Sequence, residues 1–337
     1  MTSAGREPTV AVFGAAGFGG ALSARLLHRH PHFVLQAVTA RSDVGRRLDH
    51  VYPHHRVPMV LEELDLDRHA RVDAAIVAYP HGAAAELVSE LVRRGVRVVD
   101  LSADFRLRDP SVYERWYRPH PEPDLIATAV YGLPEHYRER IAGARLVANP
   151  GCYPTATILA LAPLAREGLL ADVVIDAKSG VSGAGRTPTD RTHFVTVDEN
   201  LTPYGVPRHR HTPEIEQELA ALGAELRVTF TPHLAPLDQG ELVSCYVTPA
   251  EPVQASDLSD LYREAYADEL FVEVVASPPG VRDVRETNIC RISPHVDERT
   301  GRVIVFSAID NLWKGAASQA VQNLNLMFAR PEGEGIS

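Results

Sequence analysis

The stretch Asn149-Pro150-Gly151-Cys152-Tyr153-Pro154-Thr155-Ala156 sets a cysteine at a sharp turn that leads into a helix. Pro150 and Gly151 stop the apolar run Leu146-Val147-Ala148, and Thr155 to Arg166 reads as helical, with Ile158, Leu159, Ala162 and Leu164 as its apolar positions. Free backbone N–H groups and the positive end of a helix dipole converge at such a place, which lowers a thiol's pKa and makes it a nucleophile. Cys245 and Cys290 lie inside strand-like runs and read as small buried hydrophobes. A second reactive group is His209-Arg210-His211, just before a helix expected over Pro213 to Leu222 with Thr212 as N-cap and Pro213 at its first position. A neutral imidazole there can accept and return a proton near neutrality, so one of the pair is expected to be the general acid/base. His211, directly against Thr212, is the first choice and His209 the alternative. Spacing suggests no third ligand beside them, so no metal is expected. Lys178 to Arg186 reads as a polar, glycine-rich loop after a strand, whose hydroxyls, N–H groups and two cations suit phosphate or carboxylate groups.

These groups need a scaffold, and the sequence describes one. Val10 to Phe13 is a short buried-type strand, followed by Gly14-Ala15-Ala16-Gly17-Phe18-Gly19-Gly20, a helix expected over Ala21 to His30, and a strand over Phe33 to Thr39. Glycines spaced by three after the first strand are a variant of the dinucleotide fingerprint, in which small residues let a pyrophosphate approach a helix N-terminus. The second strand ends in Thr39-Ala40-Arg41-Ser42 where an NAD site usually carries an acid, so Arg41 and Ser42 point to the 2′-phosphate of NADP, although Asp43 follows. A strand over Ala74 to Ala78, a helix over Ala83 to Arg94 and a strand over Val96 to Leu101 continue the alternation of a doubly wound parallel sheet. After the Cys152 helix, strands are expected over 173–177, 226–230, 242–248, 271–275, 288–292 and 303–309, with a further helix near Ser256 to Tyr266. This half reads as α+β with a mixed or antiparallel sheet. A last helix is expected from Lys314 to Phe328, and Pro331 to Ser337 as a disordered tail.

Composition limits the partners. A chain of 337 residues exceeds one ordinary core, so two domains are expected. Three irregularly spaced cysteines exclude a disulfide framework and suit a reducing compartment. The polar segment from Met1 to Thr9 has no signal-peptide pattern and no apolar run is long enough to span a membrane, so a cytoplasmic protein without membrane partners is expected. The net charge of −10 disfavours nucleic acid. Of 34 basic residues only Lys178 and Lys314 are lysines, as if lysine survives where a compact ammonium matters.

Nearly the whole chain resembles the N-acetyl-γ-glutamyl-phosphate reductase family, which is similar in fold and chemistry to aspartate-semialdehyde dehydrogenase and more distantly to glyceraldehyde-3-phosphate dehydrogenase. The matching stretches are Gly14 to Gly20, Pro80-His81-Gly82, Asp100 to Arg106, Tyr131 to Glu135, Asn149 to Ala156, Lys178 to Arg186, His209 to Glu214 and Asp310 to Ala316. The resemblance implies a Rossmann-type NADP-binding domain over 1–151, rejoined by a C-terminal helix over 311–330, and a catalytic and oligomerisation domain over 152–310. It implies that Cys152 is the acylated nucleophile and that the histidine pair holds its acid/base partner. It also places Gly14, Ala16, Gly17, Phe18, Gly19, Arg41, Ser42, Ser182 and Gly183 on the cofactor, and Asn311 near the nicotinamide. Ser102, Arg106, Asn149, Lys178, Ser179 and Arg186 are implied to face the substrate. Two departures stand out: Gln239-Gly240 where the family usually reads Arg-Gly, and Ser318 where it usually has glycine.

The expected reaction is NADPH-dependent reduction of N-acetyl-γ-glutamyl phosphate through a Cys152 thioester, by a homodimer or homotetramer acting on a small acyl phosphate. The alternatives are a related acyl phosphate held on a carrier protein, a coenzyme A-acylating aldehyde dehydrogenase, and a noncatalytic NADP sensor.

Overall fold

A computed structural model of the chain describes residues 6 to 336, so part of the polar N-terminal segment and Ser337 lie outside the described residues. One compact unit ends at Pro150 and is rejoined from Ala316; the other runs Gly151–Gly315. The class is α/β, a parallel-sheet nucleotide-binding unit and a mixed-sheet unit.

In the first unit, β1 (Thr9–Phe13), β2 (Val34–Thr39), β3 (Ala74–Val77), β4 (Arg97–Asp100), β5 (Val130–Tyr131) and β6 (Leu146–Ala148) form a sheet in the order β2-β1-β3-β4-β6-β5, with every pairing parallel. Val10 to Phe13 and Ala74 to Val77 are wholly buried, as continuous apolar strands must be when helices cover both faces. The chain leaves β1 towards β2 on one side and returns to β3 on the other, which opens the crevice where such sheets take ligands. Two glycines shape its floor. Gly14 has φ +91°, and a Cβ there would lie 2.5 Å from the Ala78 carbonyl oxygen; a Cβ on Gly20 would lie 2.3 Å from the Gly14 oxygen. The helix therefore starts earlier than its apolar pattern suggests, at Phe18–His28, because glycines form its first turn against the loop.

The second unit holds β7 (Leu170–Gly180), β8 (Thr202–Pro203), β9 (Val228–Ala235), β10 (Glu241–Pro249), β11 (Val272–Val274), β12 (Cys290–Asp297) and β13 (Arg302–Ile309), in the order β11-β12-β13-β10-β7-β9-β8. The helix Cys152–Arg166 packs on β13, β10 and β7, and Tyr153 to Ala165 are all buried. Period-two alternation decides what meets it. Val173, Ile175, Ala177 and Ser179 of β7 lie directly opposite Val247, Cys245, Val243 and Glu241 of β10, and all eight are buried.

Three expectations change. Lys178, Ser179 and Gly180 belong to β7, and only Val181–Ala184 leaves the sheet, as a 3-10 turn, because the strand stays paired with β9 and β10 up to Gly180. The last helix is not continuous from Lys314: Trp313–Ala317 is a π turn, with Gly315 N–H donating to the Asp310 carbonyl five residues back, and the α-helix is Ser318–Met327. Pro331 to Ile336 is not a disordered tail. The Asn325 amide donates to the Glu332 and Glu334 carbonyls, Arg138 pairs with Glu332 at 3.1 Å, and Ile336 is buried, so buried polar groups fix a segment whose composition alone reads as solvated.

Candidate active site

Cys152 is the first residue of its helix, with Gly151 as N-cap, and its thiol is partly exposed. Glycine cannot cap through a side chain, and Glu214, from the first turn of the helix Thr212–Ala221, takes the Gly151 N–H at 2.9 Å instead. That carboxylate is buried and locks the turn carrying the nucleophile to a second helix N-terminus. From the other side the π turn brings Gly315 against the thiol: a Cβ on Gly315 would lie 2.7 Å from Cys152 Cβ.

Just past the end of β13, Asn311 ties two loops together. Its amide donates to Ser182 Oγ at 3.0 Å and its oxygen accepts from Gly240 N–H at 2.7 Å. Gly183 fits beside this bridge, where a Cβ would meet Ser179 Oγ at 3.3 Å and Asn311 Nδ2 at 3.5 Å. Ser179, Ser182, Gly183 and Asn311 thus lie together. Lys178 is not with them. One position along β7 it takes the opposite sheet face, where its ammonium meets Asp176 at 2.6 Å and His233 also approaches that carboxylate. Arg186 lies beyond the turn and is half-buried. The second lysine, Lys314, is fully buried with its ammonium 5.7 Å from the centre of the Phe271 ring, a place suited to a compact charge.

The histidine pair sits at the start of Thr212–Ala221. The helix begins at Thr212 itself, so the N-cap is His211 rather than Thr212, with its backbone at φ −81°, ψ −13°. His209 is enclosed by Tyr153, Tyr204 and Phe230, with ring centres 5.8, 5.3 and 5.3 Å away. Burial, helped by the Arg210 charge, pushes its pKa down to about 4, so the ring is neutral at pH 7. Its Nδ1 accepts the His211 N–H at 3.2 Å, which leaves the proton on Nε2. A ring held this way packs against its neighbours and orients the segment. His211→Ala is expected to lower turnover by on the order of a hundredfold or more, and His209→Ala by clearly less, with pH–rate profiles of both variants as the check. A larger loss in His209→Ala would reverse the two roles.

In the first unit the crevice fits a dinucleotide. Gly17 caps Phe18–His28 without a side-chain bond, no acid lies in the first turn, and the Tyr52 hydroxyl fixes the loop through the Ala16 carbonyl at 2.8 Å while its ring meets Phe18 edge-on. Gly19 packs on Leu101. Arg41 and Ser42 are exposed after β2, and the Arg41 guanidinium rests 4.8 Å from the centre of the Tyr79 ring. Asp43, which could have served a ribose hydroxyl, pairs with Arg46. Ser102, Arg106 and Asn149 are buried and engaged within the protein. Ser102 Oγ donates to Asp100, Arg106 donates to the Asn149 and Leu101 carbonyls, and the Asn149 amide donates to the Ala316 carbonyl. Asp100 is lifted to about 7 by burial and the nearby Asp104.

Residues 9–144 match the NAD binding domain of semialdehyde dehydrogenase, and residues 152–311 match the semialdehyde dehydrogenase dimerisation domain. The N-acetyl-gamma-glutamyl-phosphate reductase of Desulforudis audaxviator is 51% identical over 97% of both chains. The chain belongs to the N-acetyl-γ-glutamyl-phosphate reductase family. Reductases of the same name from Moorella thermoacetica and Pelobacter propionicus are 49% and 48% identical over 95% and 97% of both chains. The same fold is found in aspartate semialdehyde dehydrogenase II complexed with ASA from Vibrio cholerae, with a TM-score of 0.73 at 18% identity over 96% of this chain and 99% of that one. Aspartate semialdehyde dehydrogenase with NADP from Candida albicans gives 0.71 at 15%, with the same coverage. Members of this family are oxidoreductases, and the parallel-sheet unit with its glycine turn is the nucleotide-binding half. Among the described residues no helix is long and apolar enough to cross a membrane.

Reading the sequence for sites missed Glu214, Glu241 and Gly315. Glu214 stands three residues after His211, at a helix start, and that spacing was a usable signal. The other two become visible only when distant segments meet.

Proposed function

We propose that the chain reduces N-acetyl-γ-glutamyl phosphate to N-acetylglutamate semialdehyde and phosphate, using NADPH. The observation that carries this reading is Cys152 at the first turn of a buried helix, in a chain of this family. The Cys152 thiolate attacks the acyl carbon, the helix-start N–H groups stabilise the tetrahedral oxygen, and phosphate leaves to give a thioester. The Gly14–Gly19 turn, with Arg41 and Ser42 for the 2′-phosphate, would hold NADPH, whose chemistry there would be hydride donation to the thioester. His211 protonates the resulting hemithioacetal oxygen and takes the proton back as the C–S bond breaks to release the aldehyde. On this reading Asn311, Ser182 and Gly183 serve the nicotinamide, and Ser179 and Arg186 serve the acyl substrate. Arg106 and Asn149 support the backbone, and Lys178 serves the opposite sheet face. The matched dimerisation domain supports a homodimer or homotetramer, and a cytoplasmic location suits three cysteines with irregular spacing.

Run backwards, the thioester formed from aldehyde and NADP⁺ is released only by the group that leaves in the forward direction. Oxidation of N-acetylglutamate semialdehyde is therefore expected to depend on added phosphate, to accept arsenate in its place, and to ignore coenzyme A. Turnover without phosphate, or a strict need for coenzyme A, would overturn the reading. Failure with this aldehyde but activity on a carrier-linked one would move the substrate to the carrier alternative.

A further inference from the structure

Glu241 opens β10 and faces inward, paired with Ser179 on one side and Ile309 on the other. Its side chain is completely buried, and neither carboxylate oxygen closes a hydrogen bond of good geometry. A buried carboxyl in that condition costs stability, and replacing such a group by an apolar residue of similar volume is often neutral or favourable. Its surroundings explain what it does. The groups it faces are the Cys152 thiol from the start of the helix and the Ser179 hydroxyl from β7, with Asp310 beyond the end of β13 and the Tyr153 and Tyr204 hydroxyls also within its field. No cation appears in that set. Burial first, and then Asp310, lift its pKa to about 8, against the pull of Cys152 and Ser179 towards the ionised form.

We propose that Glu241 is the proton partner of Cys152: its carboxylate takes the Sγ proton as the thiolate forms and returns it when the aldehyde leaves. The inference rests on the thioester reading above. In the forward direction the S–H bond breaks and an O–H bond forms on Glu241. The sulfur lone pair then makes the C–S bond as the bond from carbon to the phosphate oxygen breaks. When the hemithioacetal collapses, the C–S electron pair returns to sulfur, and the proton on Glu241 restores the thiol. His211 protonates the hemithioacetal oxygen and takes that proton back as the C=O bond reforms, so the proton consumed in the overall reduction ends on the departing phosphate. In the state that reacts the pair holds one proton and one negative charge, in the thioester it holds no charge, and two adjacent anions never arise during turnover. This also gives a reason for a carboxyl where an apolar side chain would pack more cheaply.

The test uses the whole chain and needs no substrate, so it stands apart from the choice of acyl phosphate. The rate of iodoacetamide alkylation at Cys152 is followed by mass spectrometry between about pH 5 and 10; Cys245 and Cys290 are buried and serve as internal controls. A proton shared by two groups titrates in two steps, so the wild-type rate is expected to rise biphasically and that of Glu241→Gln in one step. With acyl phosphate and NADPH, Glu241→Gln is expected to lose on the order of a hundredfold in turnover, and Glu241→Asp to recover part of it, with NADPH affinity unchanged in both. Identical single-step alkylation profiles in wild type and Glu241→Gln would overturn the proposal. So would a Glu241→Gln variant that loses NADPH binding together with turnover while Glu241→Asp does no better, because that pattern marks a structural role.

Discussion

Cys152→Ala is expected to lower reduction of the acyl phosphate by on the order of 10⁴-fold or more while leaving NADPH binding near that of the wild type. The size follows from the kind of step removed: without the nucleophile no thioester forms, and what remains is the rate that binding and helix-start N–H groups confer on water. Cys152→Ser is expected to be almost as inactive, because a hydroxyl at the same helix start stays protonated at pH 7. The cofactor turn lies in the other compact unit, so titration of NADPH fluorescence separates a chemical defect from a folding defect. Substantial multiple turnover by Cys152→Ala would remove the covalent mechanism and leave a binding protein or a direct hydride transfer.

The second large effect is expected from a residue that does no chemistry. In Gly315→Ala the new methyl would stand 2.7 Å from Cys152 Cβ and 3.3 Å from its Cα. Carbon atoms settle at roughly 3.5–4.0 Å, so either the π turn or the first turn of the cysteine helix must move by about an ångström. The neighbour is Cys152 itself, at its backbone and Cβ, and no flexible side-chain end can swing aside. A displacement of that size at a reacting atom costs on the order of a hundredfold in kcat. The φ of Gly315 is not in the left-handed region, so the loss would come from contact and not from backbone strain. Comparing kcat, the iodoacetamide rate at Cys152 and the melting temperature distinguishes displacement of the thiol from general loosening. A Gly315→Ala enzyme with wild-type kcat would show that the thiol tolerates a shift of its support.

Local order in the chain determined much of this site. Strand, glycine turn and helix follow one another within a few residues, so the nucleotide crevice could be placed from Val10-Ala11-Val12-Phe13 and the glycines after it. The same holds for Cys152, where Pro150, Gly151 and the following apolar positions lie side by side, and the structure moves only the helix start, from Thr155 to Cys152. His209 and His211 could be found together, with His211 preferred only for its place against Thr212, whereas the enclosure of His209 by Tyr204 and Phe230, distant in sequence, belongs to the fold. The C-terminal segment misled for the opposite reason: its charges suggest solvent, yet Gln322 and Arg138 hold the Glu332 carboxylate while Asn325 and His30 hold the Glu332 and Glu334 backbone carbonyls. Sheet register decided the rest. One residue separates Lys178 from Ser179, and the pleat sends the first to Asp176 and the second to the Cys152 side. Glu241 reads as an ordinary acid at the start of a strand, where exposure is usual. Only pairing with β7 and β13 turns it inward, removes it from water and brings it to the thiol, and no local pattern encodes that meeting because its partners lie 89 and 62 positions away, by subtraction of Cys152 and Ser179 from Glu241.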